Sequence, residues 1–214
     1  MRAMALTQYG GPEVMQARDL PDPLVGPDSV LVRVRAAGVN PVDTKIRAGY
    51  LAGAFPSAFP LVPGWDVAGV VEGTGPAVTE FTVGDEVVGY VRKDHIQHGT
   101  YAELVAAPIR TLAPKPSSVS FVEAAGLPMT GLTAHQVLDA AEVGSGDTVL
   151  VHAAAGGVGT MAVQLALLRG AHVVGTASEA NHEFLRELGA EPVTYGQGLV
   201  TGSGRPRRRG GRGH

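Results

Sequence analysis

Hydrophobic and polar positions alternate in short bursts over the first half of the chain. Residues 30–39 (VLVRVRAAGV), 67–75 (VAGVVEGTG), 81–91 (FTVGDEVVGYV) and 100–108 (TYAELVAAP) each read as a strand bounded by Gly, Pro or Asp. Residues 1 to 118 are therefore expected to form a mostly β domain. The Pro-rich run 111–120 (TLAPKPSSVS) ends it, and Ser120 with Glu123 predicts a capping box opening a helix that runs through AAGL and stops at Pro128. From there the rhythm changes. A helix fits 130–141 (TGLTAHQVLDAA), followed by the turn GSGD, a strand over 148–153, a helix over 159–170, a strand over 172–177, a helix over 179–189 and a short strand over 192–195. Strands alternating with helices predict a parallel sheet, giving an α/β chain with a β-rich N-terminal domain over 1–120 and a second domain over 121–200. After Leu199 the apolar periodicity vanishes. The tail 201–214 (TGSGRPRRRGGRGH) has nothing to bury and is expected to be disordered.

One connection in the second domain carries chemistry. The run AAAGGVG over 153–159 is a variant of the dinucleotide fingerprint G-x-G-x-x-G, with Ala154, Gly156 and Gly159 at its three glycine positions. It follows an apolar strand and opens an amphipathic helix, where backbone amides around Gly156 and Gly157 are expected to grip a diphosphate, and Gly159 to let the helix pack on the strand. At the tip of the second strand, where an NAD enzyme usually carries Asp or Glu, this chain has Thr176, Ala177 and Ser178. A neutral tip with hydroxyls tolerates a 2′-phosphate, so NADPH is expected over NADH, with Ser178 either contacting that phosphate or capping the next helix.

Composition narrows the chemistry. The chain has 214 residues, 44% of them hydrophobic, and no cysteine, which removes thiolate metal sites, iron–sulfur clusters and cysteine nucleophiles. No run approaches the roughly 20 apolar residues of a membrane helix, and the N-terminus lacks a signal-peptide pattern, so the protein is expected in the cytoplasm with no membrane partner. The net charge of -3 hides a split: five arginines fall in 201–214, leaving 12 Lys and Arg against 20 Asp and Glu in the body. An acidic body argues against nucleic acid as a partner, and no aromatic interleaves the tail arginines. The pair His95-x-x-His98 reads as a solvated loop. His135 and His152, in apolar surroundings, read as core residues.

The motifs AAGVNPVDTKIRAG, PLVPGWDVAGVVEGTG, VGDEVVGY, GTYAELVAAP, GLPMTGLTAHQVL, VLVHAAAGGVG and ELGA occur in order and cover about residues 1–198. Together they resemble the medium-chain dehydrogenase/reductase superfamily, in its zinc-independent quinone oxidoreductase (zeta-crystallin-like) branch. The resemblance implies a GroES-like barrel followed by a Rossmann domain, a doubly wound parallel sheet, with the nicotinamide held between them. It implies hydride transfer from NADPH to a quinone or an α,β-unsaturated carbonyl. Zinc-dependent relatives hold metal with a Cys, a His–Glu pair and a later Cys or Asp; Asn40, Trp65, Asp66 and Met129 stand at those places, so no catalytic metal is expected. A conjugated acceptor suits such a site, because it spreads the arriving negative charge without a strong Lewis acid.

By matching positions, the resemblance puts Asn40 and Lys45 near the nicotinamide and ribose, and Ala155, Gly156, Gly157 and Val158, with Gly159, against the pyrophosphate. It puts Ser178 and Tyr195 on the adenosine side, and Thr130 and Thr133 near the nicotinamide. Asn40 and Tyr50 are the candidate catalytic residues; Tyr50 is a proton donor, a substrate stacker or a packing residue, and Asp43 either orients Lys45 or caps a helix. The chain departs from the family by stopping after the third Rossmann strand, so it reads as C-terminally truncated, with an exposed sheet edge, the usual dimer edge missing, and a tail that resembles a shifted reading frame. Besides the reductase, an enoyl-thioester reductase and a non-catalytic NADP-binding remnant stay open.

Overall fold

The computed structural model describes residues 1–196; the Arg-rich tail and the end of the second domain lie outside the described residues. The chain divides into two compact units, Met1–Met129 and a second beginning at Thr130.

In the first unit β1 (Arg2–Ala5) and β2 (Gln16–Asp19) pair antiparallel, followed by β3 (Ser29–Gly38), helix α1 (Pro41–Arg47), β4 (Ser57–Val62), β5 (Asp66–Thr74), β6 (Glu86–Tyr90), β7 (Ile96–His98), β8 (Leu104–Pro108), β9 (Leu112–Pro114) and helix α2 (Phe121–Ala125). The four strands expected from alternation are β3, β5, β6 and β8, and with β9 they make one antiparallel sheet in the order β8-β3-β5-β6-β9. Their inward positions supply the core: Val30, Val32, Val67, Val71, Val87 and Val105 are all buried. β-branched side chains on alternate positions pack well on a pleated face, which is why this stretch forms a sheet. Strands β4 and β7 pair parallel in a separate ribbon.

Ser120 caps α2 with the predicted reciprocal pair: Glu123 N–H donates to Ser120 Oγ at 3.2 Å, and Ser120 N–H donates to Glu123 Oε2 at 2.8 Å. Pro128 does not stop that helix, which ends at Ala125; it opens α3 (Pro128–Ala140), the first-turn position where a missing N–H costs nothing.

The second unit continues with β10 (Thr148–Val151), α4 (Gly157–Leu168), β11 (His172–Ala177), a 3-10 turn at Glu179–Asn181, α5 (His182–Glu187) and β12 (Glu191–Thr194). The sheet order is β10-β11-β12 and both pairings are parallel, as the alternation of strand and helix predicts. Its core joins Leu138, Val163, Val173 and Leu185 to five alanines, Ala154, Ala166, Ala171, Ala177 and Ala190. Small residues there bring helix and sheet backbones close. Gly159 shows how close: a Cβ on it would collide with the carbonyl of Ala153 and lie 2.7 Å from Ala154 Cα.

Two histidines depart from expectation. His135 is on the surface, with Nε2 3.2 Å from Asp139 one turn along α3 and Nδ1 3.0 Å from Arg169, because the buried stripe of α3 runs through Ala134 and Leu138 instead. His152 is also exposed, just past the end of β10, its Nδ1 3.4 Å from Thr176 Oγ1. The segment of His95 and His98 is not simply a solvated loop: Ile96 is buried and the strand β7 pairs with β4.

Candidate active site

In the first unit the antiparallel register of β3 and β5 sets Gly38 opposite Asp66, so the chain leaving β3 delivers Asn40 alongside that carboxylate. Gly64, at φ 96°, makes the turn into β5; a side chain there would collide with Thr100 and with the Tyr101 ring. Pro41 then starts α1, with Asn40 as its extended N-cap.

The result is a buried polar network. Asn40 Nδ2 donates to Asp66 Oδ2 at 2.9 Å, and the Met129 N–H donates to Asp66 Oδ1 at 3.1 Å. Asn40 N–H donates to Asp43 Oδ2 at 2.7 Å, and that same oxygen accepts from the Tyr101 hydroxyl at 2.8 Å. Asn40, Asp43 and Asp66 are 6%, 4% and 1% exposed. Burial pushes the Asp66 carboxyl up to about 6, against the hydrogen bonds from Asn40 and Met129, and the nearby charge of Asp43 adds to the rise. Burial raises Asp43 as well, opposed by the Asn40 amide, the Tyr101 hydroxyl and the Gly64 amide. Its Oδ1 has no hydrogen bond of good geometry, so the Gly64 amide supports it only electrostatically. Burial and the Asp43 charge raise the Tyr101 phenol, which keeps its proton and remains a donor.

Asn40, Trp65, Asp66 and Met129 thus come together: Trp65 is buried in one apolar cluster with Met129 and Ile46, edge-on to Phe55 at 6.3 Å and Tyr90 at 5.9 Å between ring centroids. Asp43 acts as the helix cap rather than as an orienter of Lys45, since its oxygen is held by Asn40 N–H and Tyr101. Lys45 is exposed on α1, and Tyr50, 80% exposed, follows that helix with its N–H donated to the Lys45 carbonyl at 3.0 Å. Tyr50 therefore does not pack within the barrel.

In the second unit the glycine turn is built as a strand-to-helix corner. Ala153 adopts φ 50°, its N–H donates to Thr176 Oγ1 at 3.1 Å, and the Ala154 N–H donates to the Thr176 carbonyl at 2.9 Å. Thr176 is thereby a brace from β11, 2% exposed, rather than part of an open tip. The Gly156 N–H is not available to a ligand, because it donates to the Ala153 carbonyl at 2.9 Å. That corrects the expectation that the amides on both sides of Gly156 are free. The N–H groups of Gly157, Val158 and Gly159 have no protein acceptor among the described residues, and Gly156, the N-cap, has no side chain to cover them. Three unpaired donors and the positive end of a 12-residue helix make a site for an anion. Ala155, beside them, packs partly against the core.

Thr130 approaches the turn, its Cγ2 3.3 Å from where a Cβ on Gly157 would sit, and Thr133 follows on α3. Ser178 does not cap the next turn; its Oγ accepts from Asn181 Nδ2 at 3.1 Å. Tyr195, 61% exposed, lies just past β12. Sequence reasoning missed Tyr101 and Thr176 as structural partners of the site. Tyr101 sits in the GTYAE motif, yet only the fold brings it to Asp43. Among the described residues no group of three or more His, Cys, Asp or Glu is placed to hold a metal ion, and no helix is long and apolar enough to cross a membrane.

The family model of the alcohol dehydrogenase GroES-like domain matches residues 26–117. The chain is 40% identical over 200 residues to the quinone-oxidoreductase homolog, chloroplastic, of Spinacia oleracea, covering 90% of this chain and 60% of that protein. It is 40% identical over 198 residues to the NADPH-dependent alkenal/one oxidoreductase, chloroplastic, of Arabidopsis thaliana, covering 89% of this chain and 51% of that one. The solved quinone oxidoreductase of Coxiella burnetii superposes with a TM-score of 0.84 at 40% identity, over 94% of this chain and 65% of that one. The chain thus spans between half and two thirds of the length of these relatives. Likeness at 40% identity over nine tenths of the sequence makes this chain a member of the quinone oxidoreductase branch of the medium-chain dehydrogenase/reductase superfamily.

Proposed function

We propose that the chain binds NADPH through the start of α4 and serves hydride transfer to a quinone or an α,β-unsaturated carbonyl, without a catalytic metal. The observation that carries this reading is the set of N–H groups on Gly157, Val158 and Gly159 that have no protein acceptor among the described residues, at a helix start with no side-chain cap. A diphosphate supplies the acceptors they lack. NADPH, when bound, supplies the hydride from its nicotinamide ring. Thr130 and Thr133 are assigned to that ring, Lys45 to the ribose, and Ser178 and Tyr195 to the adenosine end.

Asn40 does the positioning in the first unit. With one Nδ2 hydrogen committed to Asp66, its amide is fixed in one sense, and its second N–H is assigned to the acceptor oxygen. A donor held in place beforehand stabilises charge arriving on a carbonyl oxygen without reorganising. Tyr50, largely exposed, supplies the proton that the reduced acceptor takes up. The donor set at the positions where zinc-dependent relatives bind metal argues against a metal: Trp65 and Met129 are poor zinc ligands, and both Asp66 oxygens already accept hydrogen bonds.

NADPH fluorescence titration followed by a turnover assay with a small quinone tests the proposal. Binding with turnover supports it. Binding without turnover favours a nucleotide-binding remnant, turnover only with an enoyl thioester favours that reductase, and no NADPH binding overturns the reading.

A further inference from the structure

Strand β6 runs antiparallel to β5 with Tyr90 opposite Asp66, and the pairing carries one step further, the Val91 N–H donating to the Trp65 carbonyl at 2.6 Å. Side chains alternate between the faces of a sheet, so Tyr90 and Arg92 share the face of Asp66 while Val91 points to the other. Val91 is buried with the valines of the sheet core, Tyr90 stands edge-on to Trp65, and Lys93 turns away to donate to the His98 carbonyl at 3.0 Å. Arg92 is exposed and holds its guanidinium over the Phe55 ring, 4.8 Å from the centroid. Phe55 is in turn edge-on to Trp65, and the next residue, Asp66, holds the Asn40 amide. One strand spacing across and two residues along put the Arg92 Cα roughly 8 Å from that of Asp66. Burial raises the Tyr90 phenol and the Arg92 charge opposes that rise, which places the guanidinium in electrical reach of the ring beside Asp66. Among the described residues no carboxylate lies in ion-pair range of Arg92, whereas Arg33, Arg169 and Arg186 are paired with Glu72, Asp139 and Glu183. The two buried acids of the site are engaged elsewhere: both Asp66 oxygens accept from Asn40 and the Met129 N–H, and Asp43 Oδ2 accepts from the Asn40 N–H and Tyr101.

We propose that Arg92 is a specificity-determining residue, which selects quinone or enone acceptors that carry a carboxylate or sulfonate over neutral acceptors of the same size. The inference rests on the acceptor class proposed above and uses groups of the first unit alone. The acceptor's carbonyl is directed to the Asn40 amide and its anion to the guanidinium, two anchors on one face of the β5–β6 pair. A guanidinium held over an aromatic ring keeps its N–H donors for an oxyanion, and it has less freedom left to lose than a lysine extended into water. No bond to the acceptor is made or broken in this step; it is recognition only.

Trp65, the chain's single tryptophan, belongs to the same aromatic cluster, so its fluorescence reports a quinone that arrives there. The full chain, without nicotinamide, is titrated at low ionic strength with 1,4-naphthoquinone-2-sulfonate and with menadione, a neutral naphthoquinone of similar size. The sulfonate is expected to quench with an affinity about fivefold tighter, the scale of an exposed ion pair, and the preference should shrink in about 0.5 M sodium chloride. Arg92→Gln should bring the two affinities together while leaving that for menadione within about twofold, and Lys93→Gln should keep the preference. Arg92→Lys, which retains the charge without the planar fork, should restore part of it, and this separates lost charge from a displaced Phe55. Equal affinities in the wild type, a preference that survives Arg92→Gln or vanishes with Lys93→Gln, or no quenching by either quinone overturns the proposal. Because no cofactor is present, a chain that fails to bind NADPH can still show the preference, whereas a chain that reduces quinones without one contradicts this inference alone.

Discussion

Asp66 is a carboxylate buried for a purpose other than stability. Its midpoint rises from 3.8 in the solvated state to about 6 in the fold because burial disfavours the charged form more than Asn40 and the Met129 amide favour it. A raised carboxyl contributes stability that is complete below the unfolded value and is lost as pH climbs through the folded one, here between about pH 4 and 6. The shift corresponds to ~3 kcal/mol. Asp43 is raised in the same direction and adds to the trend, while Glu80 and Glu123, lowered by backbone amides, oppose it. Asp66→Asn isolates the effect. Urea unfolding followed by the fluorescence of Trp65, the chain's single tryptophan, is expected to show the wild type losing stability from pH 4 to 6 and the variant losing less, with the slope that Asp43 leaves. Equal slopes would remove Asp66 from the account. The carboxylate is kept, despite this cost, because it holds the Asn40 amide in one orientation.

At the scale of single elements, the corner between β10 and α4 decides whether a nucleotide has a place to bind. Gly159→Ala puts a methyl group onto the Ala153 carbonyl and Ala154 Cα, both backbone atoms that cannot swing aside. Gly157→Ala meets only the Thr130 methyl at 3.3 Å, a side chain that can give. Gly159→Ala is therefore expected to destabilise by about 2–3 kcal/mol and Gly157→Ala by less than about 1 kcal/mol. Thermal or denaturant melts of the two variants check the order, and the reverse order would mean the helix does not pack on the turn as described.

This corner was readable in the sequence because its signals are local: an apolar strand, small residues, then helical spacing. So were β3, β5, β6 and β8, whose alternating valines dictate one buried face. Strands β1, β2, β4, β7 and β9 were not, being three to six residues long and set by pairing rather than by pattern. His135 and His152 misled for a related reason. Each has apolar neighbours in sequence, but a helix turns His135 off the stripe formed by Ala134 and Leu138, and His152 lies past the last paired residue of its strand. Gly156 shows the same limit more sharply, since its hydrogen bond to Ala153 depends on a left-handed alanine that no spacing rule foretells.

Among the described residues the two units have cores of different character. Valines, Phe81 and an aromatic cluster around Trp65 fill the first unit, whereas alanines make up more than half of the buried cluster in the second. Burying alanine removes less apolar surface per residue than burying valine, leucine or an aromatic ring. Two unfolding transitions are therefore expected. The second unit should melt first, by the ellipticity of its helices, and the first unit later, by Trp65 fluorescence. NADPH at a hundredfold excess over its dissociation constant should stabilise the earlier transition by about 2.7 kcal/mol. One coincident transition, or a ligand shift confined to the later one, would contradict this division.

The binding claim itself is tested most directly by amide-resolved NMR of the labelled chain during titration with NADPH. The N–H resonances of Gly157, Val158 and Gly159 should move downfield as each acquires a phosphate oxygen, while that of Gly156, already bonded to Ala153, moves far less. Saturating NADPH that leaves those three signals in place, or that acts first on Gly156, would contradict the account.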